Sequence, residues 1–309
     1  MVDEDTASKL VPEVRYWCDV DASPTHLAQL SLIPDGSRVL EVGCAGGHVT
    51  KALRGRGCHV TAVERDAGLA QAAREYADAM IQADVETSAF FEAVRDLTFD
   101  VVLLGDVLEH MVRPADLLRA LKDHLQPSGW LVTSIPNVAH ASVRLALLLG
   151  EFRSRGWGLL DETHVRFFTA ESVAELFDTT GYEVRDVVRV RQGFFETEIK
   201  IDPAAVPVAV LRQLARDVDA DTYQWVLRAM PRTEAVSNRA ALKGQVRADV
   251  VRADLIRAYG GGTWKATRGG RADWARAVQL SWRWFALSWR LKALLYLGLA
   301  VLASATVRR

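Results

Sequence analysis

Apolar and polar positions follow two alternating patterns between residues 38 and 190. Short runs of apolar residues recur, and between them apolar residues return every three or four positions, as on one helix face. Strands are predicted at 38–42, 58–63, 79–85 and 99–105, in the segment ending at Pro136, and in a run from Tyr182. Helices are predicted at Gly47–Arg54, Ala67–Tyr76, Pro114–His124 and Ala170–Thr180. This order predicts a doubly wound, mostly parallel α/β sheet with helices on both faces and right-handed crossovers.

The helix at 170–180 has the clearest start and stop signals. Thr169 can cap its first turn, Ser172 and Glu175 follow, and Gly181 can end it before the strand at Tyr182. Local chemistry alone therefore predicts both of its ends.

The pattern changes after residue 202, where Ala, Arg and Leu recur with helical periodicity until Pro231 and again until the glycine cluster at 260–262. We therefore predict an N-terminal helical cap at 1–30, a main domain at 31–202, a helical extension at 203–260 and a tail at 261–309.

Composition limits the function. The 309 residues carry a formal net charge of −1, which argues against a nucleic-acid binder. Cys18, Cys44 and Cys58 form neither a metal-ligand ladder nor an even disulfide framework, and the acidic N-terminus lacks the apolar core of a secretory signal. A cytoplasmic protein is expected.

The first candidate site is the turn of small residues at 43–47, which connects the first strand to the following helix. Such a turn lets backbone N–H groups approach a ligand. The next strand ends at Glu64, about 20 residues after the glycines, where a carboxylate can bind a ribose diol. A dinucleotide fingerprint needs glycine at positions that here are Gly43, Ala45 and His48, so a pyrophosphate site is disfavoured.

These residues resemble the first motif of class I S-adenosylmethionine-dependent methyltransferases, an acid-apolar-Gly-x-Gly-x-Gly run followed by a ribose-binding acid. Glu41, Gly43, Gly47 and Glu64 match, while Ala45 replaces the middle glycine and leaves only close backbone packing in question. The resemblance implies a seven-stranded Rossmann-like sheet, S-adenosylmethionine as cofactor, and a cofactor site made by Glu41, Gly43, Ala45, Gly47, Glu64, Asp84, Val85 and Asp106.

Further segments extend the resemblance over roughly residues 13–192. They are 79–85, 99–110, the Pro127–Trp130 turn leading to 135–140, and 158–169. Together they resemble a bacterial subgroup of the ubiquinone-methyltransferase-like family that accompanies glycan and polysaccharide genes.

Four histidines in or beside these segments are candidates for the base that takes the acceptor's proton, since imidazole titrates near neutral pH. His164 is our first choice and His140 the second, followed by His48 and His110. The alternative for each is a hydrogen-bonded support of its own loop.

Asp106, Glu109 and His110 form an acid-x-x-acid-His group after the fourth strand. Their spacing can bring all three to one helical face, where they could bind a divalent cation. Ubiquinone-type O-methyltransferases have a similar arrangement associated with a metal. An equally good interpretation is capping of a helix by the acids, and we expect no firm metal site.

The tail has no acidic residue after Asp273 and contains five of the nine tryptophans. Tryptophan beside arginine is typical of a membrane interface. The uncharged run 293–307 is too short for a perpendicular span, which needs about 20 residues. The prediction is peripheral contact with the cytoplasmic membrane; the alternative is a helical hairpin packed on the catalytic domain or on the second subunit of a homodimer.

The sequence thus predicts methyl transfer to an oxygen of a glycan, glycolipid precursor or related cell-envelope molecule. Methylation of a soluble secondary metabolite at O or N is the first alternative. The second is a non-catalytic cofactor-binding scaffold that recruits partners through 203–260 and the tail. An NAD-dependent oxidoreductase is disfavoured by Ala45 and His48.

Overall fold

The computed structural model describes residues 23–232, 238–244 and 248–251. The helices are α1 Pro24–Ser31, α2 His48–Gly55, α3 Ala67–Ala73, α4 Ser88–Val94, α5 Pro114–Leu121, α6 Ala141–Leu148, α7 Ala170–Thr180, α8 Val208–Leu214 and α9 Arg239–Gly244. The strands are β1 Arg38–Val42, β2 His59–Glu64, β3 Ala79–Gln82, β4 Phe99–Gly105, β5 Leu125–Pro136, β6 Tyr182–Arg191, β7 Thr222–Pro231 and β8 Ala248–Val251.

The strands form one sheet in the order β3-β2-β1-β4-β5-β7-β6-β8. The first five are mutually parallel, β7 runs antiparallel to both β5 and β6, and the short β8 pairs in parallel with β6. The predicted mostly parallel α/β fold is confirmed, with one short strand added beyond the expected seven. Open sheets of this kind bind ligands beyond the carboxyl ends of their strands, which here are followed by the turns after Val42, Glu64 and Gly105.

Both faces of the sheet are buried, as continuous apolar strands require. Leu40, Val102 and Leu227 contribute to the core on one face, and Val39, Leu103 and Val226 contribute to the core on the other.

The ends of α7 are as predicted. The Thr169 side chain and the Ser172 side chain bond each other's backbone N–H groups, which makes a capping box, and Gly181 ends the helix at φ +72°.

The predicted boundary at residue 202 is wrong in one respect. β7 lies inside the range 203–260 that we expected to be a helical extension, and it is a central strand between β5 and β6. The described residues on both sides of 202 belong to one compact unit. Helical periodicity is real in α8 and α9, but β7 is determined by pairing with strands far away in sequence, as in Ser134 with Val226.

The predictions for residues 1–22 and for the tail at 261–309 lie outside the described residues. Within the described part of the chain, the helices are too short or too polar to cross a membrane.

Trp225 of β7 tests the corrected boundary. Its side chain is fully buried, so Trp225→Ala should lower the free energy of unfolding by about 3–5 kcal/mol, measured by urea denaturation. Val218→Ala, at a side chain that is 48% exposed, is the control and should change it by less than about 0.5 kcal/mol. Equal effects of the two changes would contradict the placement of β7.

Candidate functional site

The turn after β1 requires glycine at two positions. Gly43 has φ +71°, and a Cβ there would lie 2.9 Å from Val107 Cγ2. Gly47 has φ +81°, and a Cβ there would lie 2.9 Å from Ala73 Cα. Since neither position has room for a side chain, the backbone between them stays open to a ligand at the start of α2.

Ala45, which stands where the resembled family has glycine, also adopts a left-handed conformation, with φ +46°. This conformation costs an L-residue about 1–2 kcal/mol. The Ala45 N–H donates to Glu64 Oε2 at 3.0 Å, which helps to hold the turn in this shape.

Glu64 is therefore part of the turn as well as the end of β2. Its other carboxylate oxygen, Oε1, accepts the N–H of Asp66 at 2.9 Å, and the residue is 9% exposed. A carboxylate has about four acceptor sites, so two backbone bonds leave capacity for ribose hydroxyls.

Glu41 supports the same turn from the protein interior. Its buried Oε2 accepts the hydroxyl of Thr50 in α2 at 2.7 Å, and burial raises the pKa of its carboxyl to about 7. The carboxyl faces α2, so its contribution to the cofactor site is through the geometry of the turn.

Asp84 and Val85 follow β3. Asp84 is exposed, and its Oδ1 accepts the N–H of Glu86 at 2.9 Å, while Val85 packs against the apolar core. Direct contact of either residue with adenine stays a prediction.

Asp106, the residue after β4, has φ +53° and is held by a network that joins four elements. Its Oδ1 accepts from Ser134 Oγ at 2.6 Å and from Gln224 Nε2 at 2.8 Å. Two side chains of α1 extend the network. The Gln29 amide donates to Ser134 Oγ, and the Thr25 hydroxyl donates to Gln224 Oε1. Sequence reasoning missed Gln224, because it lies in the range predicted as an extension.

His26 of α1 is a further residue that sequence reasoning missed. Burial lowers the pKa of His26, the charge of Asp106 opposes this shift, and His48 adds to it. No motif marked it, since it lies before the first strand.

The acceptor side of the site depends on the segment 161–168, which docks on the turn after β4. The backbone carbonyl of Glu109 accepts the N–H groups of Val165 and Arg166, each at 2.9 Å. His110 Nδ1 lies 3.2 Å from the carbonyl oxygen of Thr163, and the Thr163 hydroxyl donates to Asp161 Oδ1 at 2.6 Å. These hydrogen bonds bring the turn at 109–110 into contact with residues 163–166, about 55 residues later in the chain.

Glu109, His110 and His164 thereby form a cluster in which one ligand atom of each lies within 4.8 Å of the others. Glu109 is 1% exposed, and among the described residues neither of its carboxylate oxygens has a hydrogen-bond partner. Burial raises the pKa of Glu109 well above its usual range, and the charges of Asp106 and Asp161 raise it further. Burial also lowers the pKa of His164, as does His110.

The predicted metal group is corrected by this arrangement. In the part of the chain that the structure describes, Asp106 is not in the cluster, and its Oδ1 serves Ser134 and Gln224. His164 takes its place beside Glu109 and His110, because the loop at 161–168 folds back on them.

The prediction of His140 as a base is wrong. Its side chain is fully buried, Nδ1 accepts the N–H of Ser142 at 3.1 Å as the cap of α6, and Nε2 donates to the carbonyl of Gln192 at 2.9 Å. Burial lowers the pKa of His140 to about 4. Both ring nitrogens are occupied, so His140 supports its loop.

Aromatic side chains lie next to His164. The Phe167 ring lies 6.3 Å from the His164 ring and 5.9 Å from that of Phe152, measured between centroids. Phe152 and Trp157 are about half exposed. Arg144 of α6 forms an ion pair with Asp217.

Comparisons with known proteins agree with this geometry. A family model described as Methyltransferase domain matches residues 16–187. The Ubiquinone biosynthesis O-methyltransferase of Xanthomonas axonopodis pv. citri is 28% identical over 187 residues, which is 55% of this chain and 77% of the relative. The protein of that name from Xylella fastidiosa is 29% identical over 162 residues, 50% of this chain and 65% of the relative.

Similar solved structures include an S-adenosylmethionine-dependent methyltransferase from Thermotoga maritima, described as a possible histamine N-methyltransferase. It has 19% identity and a TM-score of 0.48, with 69% of this chain and 90% of that chain covered. Magnesium protoporphyrin IX methyltransferase from Synechocystis has 14% identity and a TM-score of 0.44, with 69% and 81% covered.

The family model covers more than half of the chain. The chain belongs to the methyltransferase domain family and is an S-adenosylmethionine-dependent methyltransferase.

Proposed function

We propose that this enzyme transfers a methyl group to a hydroxyl oxygen of a glycan, a glycolipid precursor or a related cell-envelope molecule. The observation that carries the proposal is the cluster of Glu109 and His110, on the turn that follows β4, with His164 of the segment that docks there. The two relatives described above carry O-methyltransferase in their names, which supports oxygen as the accepting atom.

Methyl transfer from a sulfonium is an in-line displacement. The acceptor oxygen forms a bond to the methyl carbon, the carbon–sulfur bond breaks, S-adenosylhomocysteine leaves, and the hydroxyl loses its proton. Alignment of the reactants can contribute roughly 7–11 kcal/mol in the best intramolecular models. A positioned proton acceptor contributes about 10²–10⁴-fold. We assign the site of proton loss to the cluster, with His164 as its essential member.

Exposed apolar side chains in this region support an acceptor with an apolar part. Phe152, Trp157 and Phe167 are exposed aromatic side chains, and Leu147 and Leu148 at the end of α6 are exposed aliphatic ones. Exposed aromatic rings can stack on a sugar face, and exposed aliphatic side chains suit a lipid chain. A glycolipid precursor offers both.

A ubiquinone-pathway acceptor is the second candidate, because of the names of the relatives. Incubation of the enzyme with methyl-labelled S-adenosylmethionine and either fractionated envelope extract or quinone extract separates the two. Label in a glycolipid or glycan product supports the first candidate, and label in the quinone fraction alone would replace it. Methylation of neither fraction, with cofactor binding intact, would favour a binding scaffold.

Glu64→Ala should weaken S-adenosylmethionine binding, because it removes charge-assisted hydrogen bonds to the ribose and releases the Ala45 N–H. The expected loss is roughly 1.5–3 kcal/mol, or about 10- to 150-fold in Kd by calorimetry. Glu92→Ala, at an exposed glutamate on α4, is the matched control. Unchanged affinity in a folded Glu64 variant would remove this residue from the cofactor site.

His164→Ala should retain cofactor binding and lower turnover by about 10²–10⁴-fold, since the acceptor's proton loses its route. His59→Ala is the control, because His59 is exposed at the start of β2, at the opposite edge of the sheet. Turnover and cofactor affinity are measured separately with the labelled acceptor. Near-normal turnover of His164→Ala would refute the assignment of proton loss to this cluster.

Membrane contact through the tail is also part of the proposal, and it rests on sequence alone. The full chain should sediment with anionic liposomes, and added salt should weaken the attachment. A chain ending at Gly260 should remain soluble and bind S-adenosylmethionine. If instead the shortened chain unfolds and the intact chain ignores liposomes, the tail is a packing element.

A further inference from the structure

The connection between β6 and β7 is longer than these strands require. They are adjacent and antiparallel, so a hairpin loop of about two to five residues could join them. The chain instead inserts residues 192–221 between them. Because β5 and β6 are both antiparallel to β7, they run in the same direction, and this β6–β7 insertion begins at the edge of the sheet where ligands bind.

One buried carboxylate of the β6–β7 insertion contacts the chain just before the segment 161–168. Oε1 of Glu198 accepts the N–H of Leu159 at 2.7 Å, and Oε2 accepts the hydroxyl of Tyr223, on β7, at 2.9 Å. Burial raises the pKa of the Tyr223 hydroxyl, and the charge of Glu198 raises it further, so this hydroxyl remains a donor. The carboxylate therefore joins the sheet to the chain at Leu159.

Gly158 has no room for a side chain because of this carboxylate. Its φ is +94°, and a Cβ there would overlap the carboxyl group of Glu198. Gly57 offers a comparison, since its φ is also positive, at +75°, but a Cβ there would meet open space. Gly158 is the first residue of the segment 158–169, so the structure gives a physical reason for the glycine at this place.

The chain held by Glu198 is a turn that carries an exposed aromatic side chain. We call residues 155–162 the Trp157 turn. The N–H of Arg155 donates to the carbonyl of Leu160 at 2.8 Å, which closes the turn. Trp157 is about half exposed, while Leu160 packs in an apolar cluster with Ile199 of the β6–β7 insertion. The insertion therefore supports this turn by packing as well as by hydrogen bonding.

We propose that Glu198 is a positioning residue that fixes the Trp157 turn for binding of the acceptor. Its hydrogen bond to Leu159 holds the backbone next to Trp157 and so limits where the indole can lie. An exposed indole can stack on a sugar face. This role rests on the proposed function, because it takes the Trp157 turn and the segment after it as the acceptor side. Glu198 acts through Leu159 and leaves cofactor binding unaffected.

The first test compares Glu198→Ala with Glu198→Gln in the full chain. Glu198→Ala should speed hydrogen exchange of the Leu159 amide by about tenfold or more, measured by mass spectrometry of peptides that span the Trp157 turn. The glutamine amide can accept from Leu159 and donate to the Tyr223 oxygen, so Glu198→Gln should retain the slow exchange. Tyr223→Phe removes one donor and should speed exchange to a smaller extent; it keeps the test decisive if Glu198→Ala does not fold.

The second test measures methyl transfer. Envelope extract or quinone extract, whichever the wild type labels, is varied at saturating labelled S-adenosylmethionine. Glu198→Ala should raise the half-saturating amount of extract by about tenfold or more, with the affinity for S-adenosylmethionine unchanged by calorimetry. A loss of stability alone would reduce the active fraction, and hence the maximal rate, without moving half-saturation. Glu92→Ala, at an exposed glutamate on α4, is the control.

A double substitution tests the reason for Gly158. Gly158→Ala alone should raise half-saturation as Glu198→Ala does. Combining the two should add little, because the carboxyl group that a Cβ would overlap is then absent. Gly57→Ala imposes an alanine at a similar φ in open space and should leave half-saturation unchanged. Fully additive effects of the two substitutions would contradict the contact between these residues.

The outcomes separate this role from the proposed function. Unchanged exchange at Leu159 and unchanged half-saturation in Glu198→Ala would overturn the role, while label in a glycan or glycolipid would still support the proposed function. Equal losses in Glu198→Gln and Glu198→Ala would also overturn it, since hydrogen bonds alone would then not account for the effect. If the wild type labels only quinone or neither extract, the proposed function fails, and exchange at Leu159 with its rescue by glutamine still decides whether Glu198 fixes the turn.

Discussion

The loop to which we assign the acceptor depends on one backbone contact, in which the Glu109 carbonyl accepts the N–H groups of both Val165 and Arg166. This contact fixes the segment 161–168 against the turn after β4. A second tether lies at the other end of the segment, where the N–H of Val138 donates to the carbonyl of Phe168. Because backbone atoms make both contacts, the loop can keep its position while its side chains vary. Functional loops on a rigid scaffold generally have this property.

The cofactor half depends on a related constraint. The chain leaves β1 and β4 through residues with positive φ that are not glycine, Ala45 and Asp106. Such conformations persist only where the surroundings stabilise them, and they concentrate at functional sites. Glu64 holds the first through a backbone N–H, while Ser134 and Gln224 hold the second through its side chain. The same carboxylate that we expect to bind ribose therefore also shapes the turn that precedes it.

Local sequence signals predicted the parts of the structure that local chemistry determines. Thr169 and Gly181 marked both ends of α7, and the glycines after β1 marked the cofactor turn. Long-range contacts were not predictable in this way. The second partner of His140 is the carbonyl of Gln192, 52 residues away, and nothing near His140 in the sequence indicates it.

The same limit explains the errors in the metal group and in the domain boundary. Spacing in the sequence put Asp106 beside Glu109 and His110, but Gln224 comes from 118 residues away to engage Asp106. Gln224 lies on β7, whose place in the centre of the sheet depends on β5 and β6 rather than on its own composition. Because β7 was predicted as part of a helical extension, the hydrogen bond from Gln224 to Asp106 could not be predicted.

The short segment from Gly105 to His110 joins the two halves of the site. Its first residues contact α1 and the cofactor side through Gln29 and Ser134, and its last residues carry the acceptor cluster. Methyl transfer needs the sulfonium methyl group and the accepting atom in line, so the distance between the halves must be set accurately. A few residues that leave one central strand and are hydrogen-bonded at both ends fix this distance with little freedom. If the loop at 161–168 binds the acceptor as we propose, its side chains can change without disturbing the cofactor turn, because backbone atoms hold it in place.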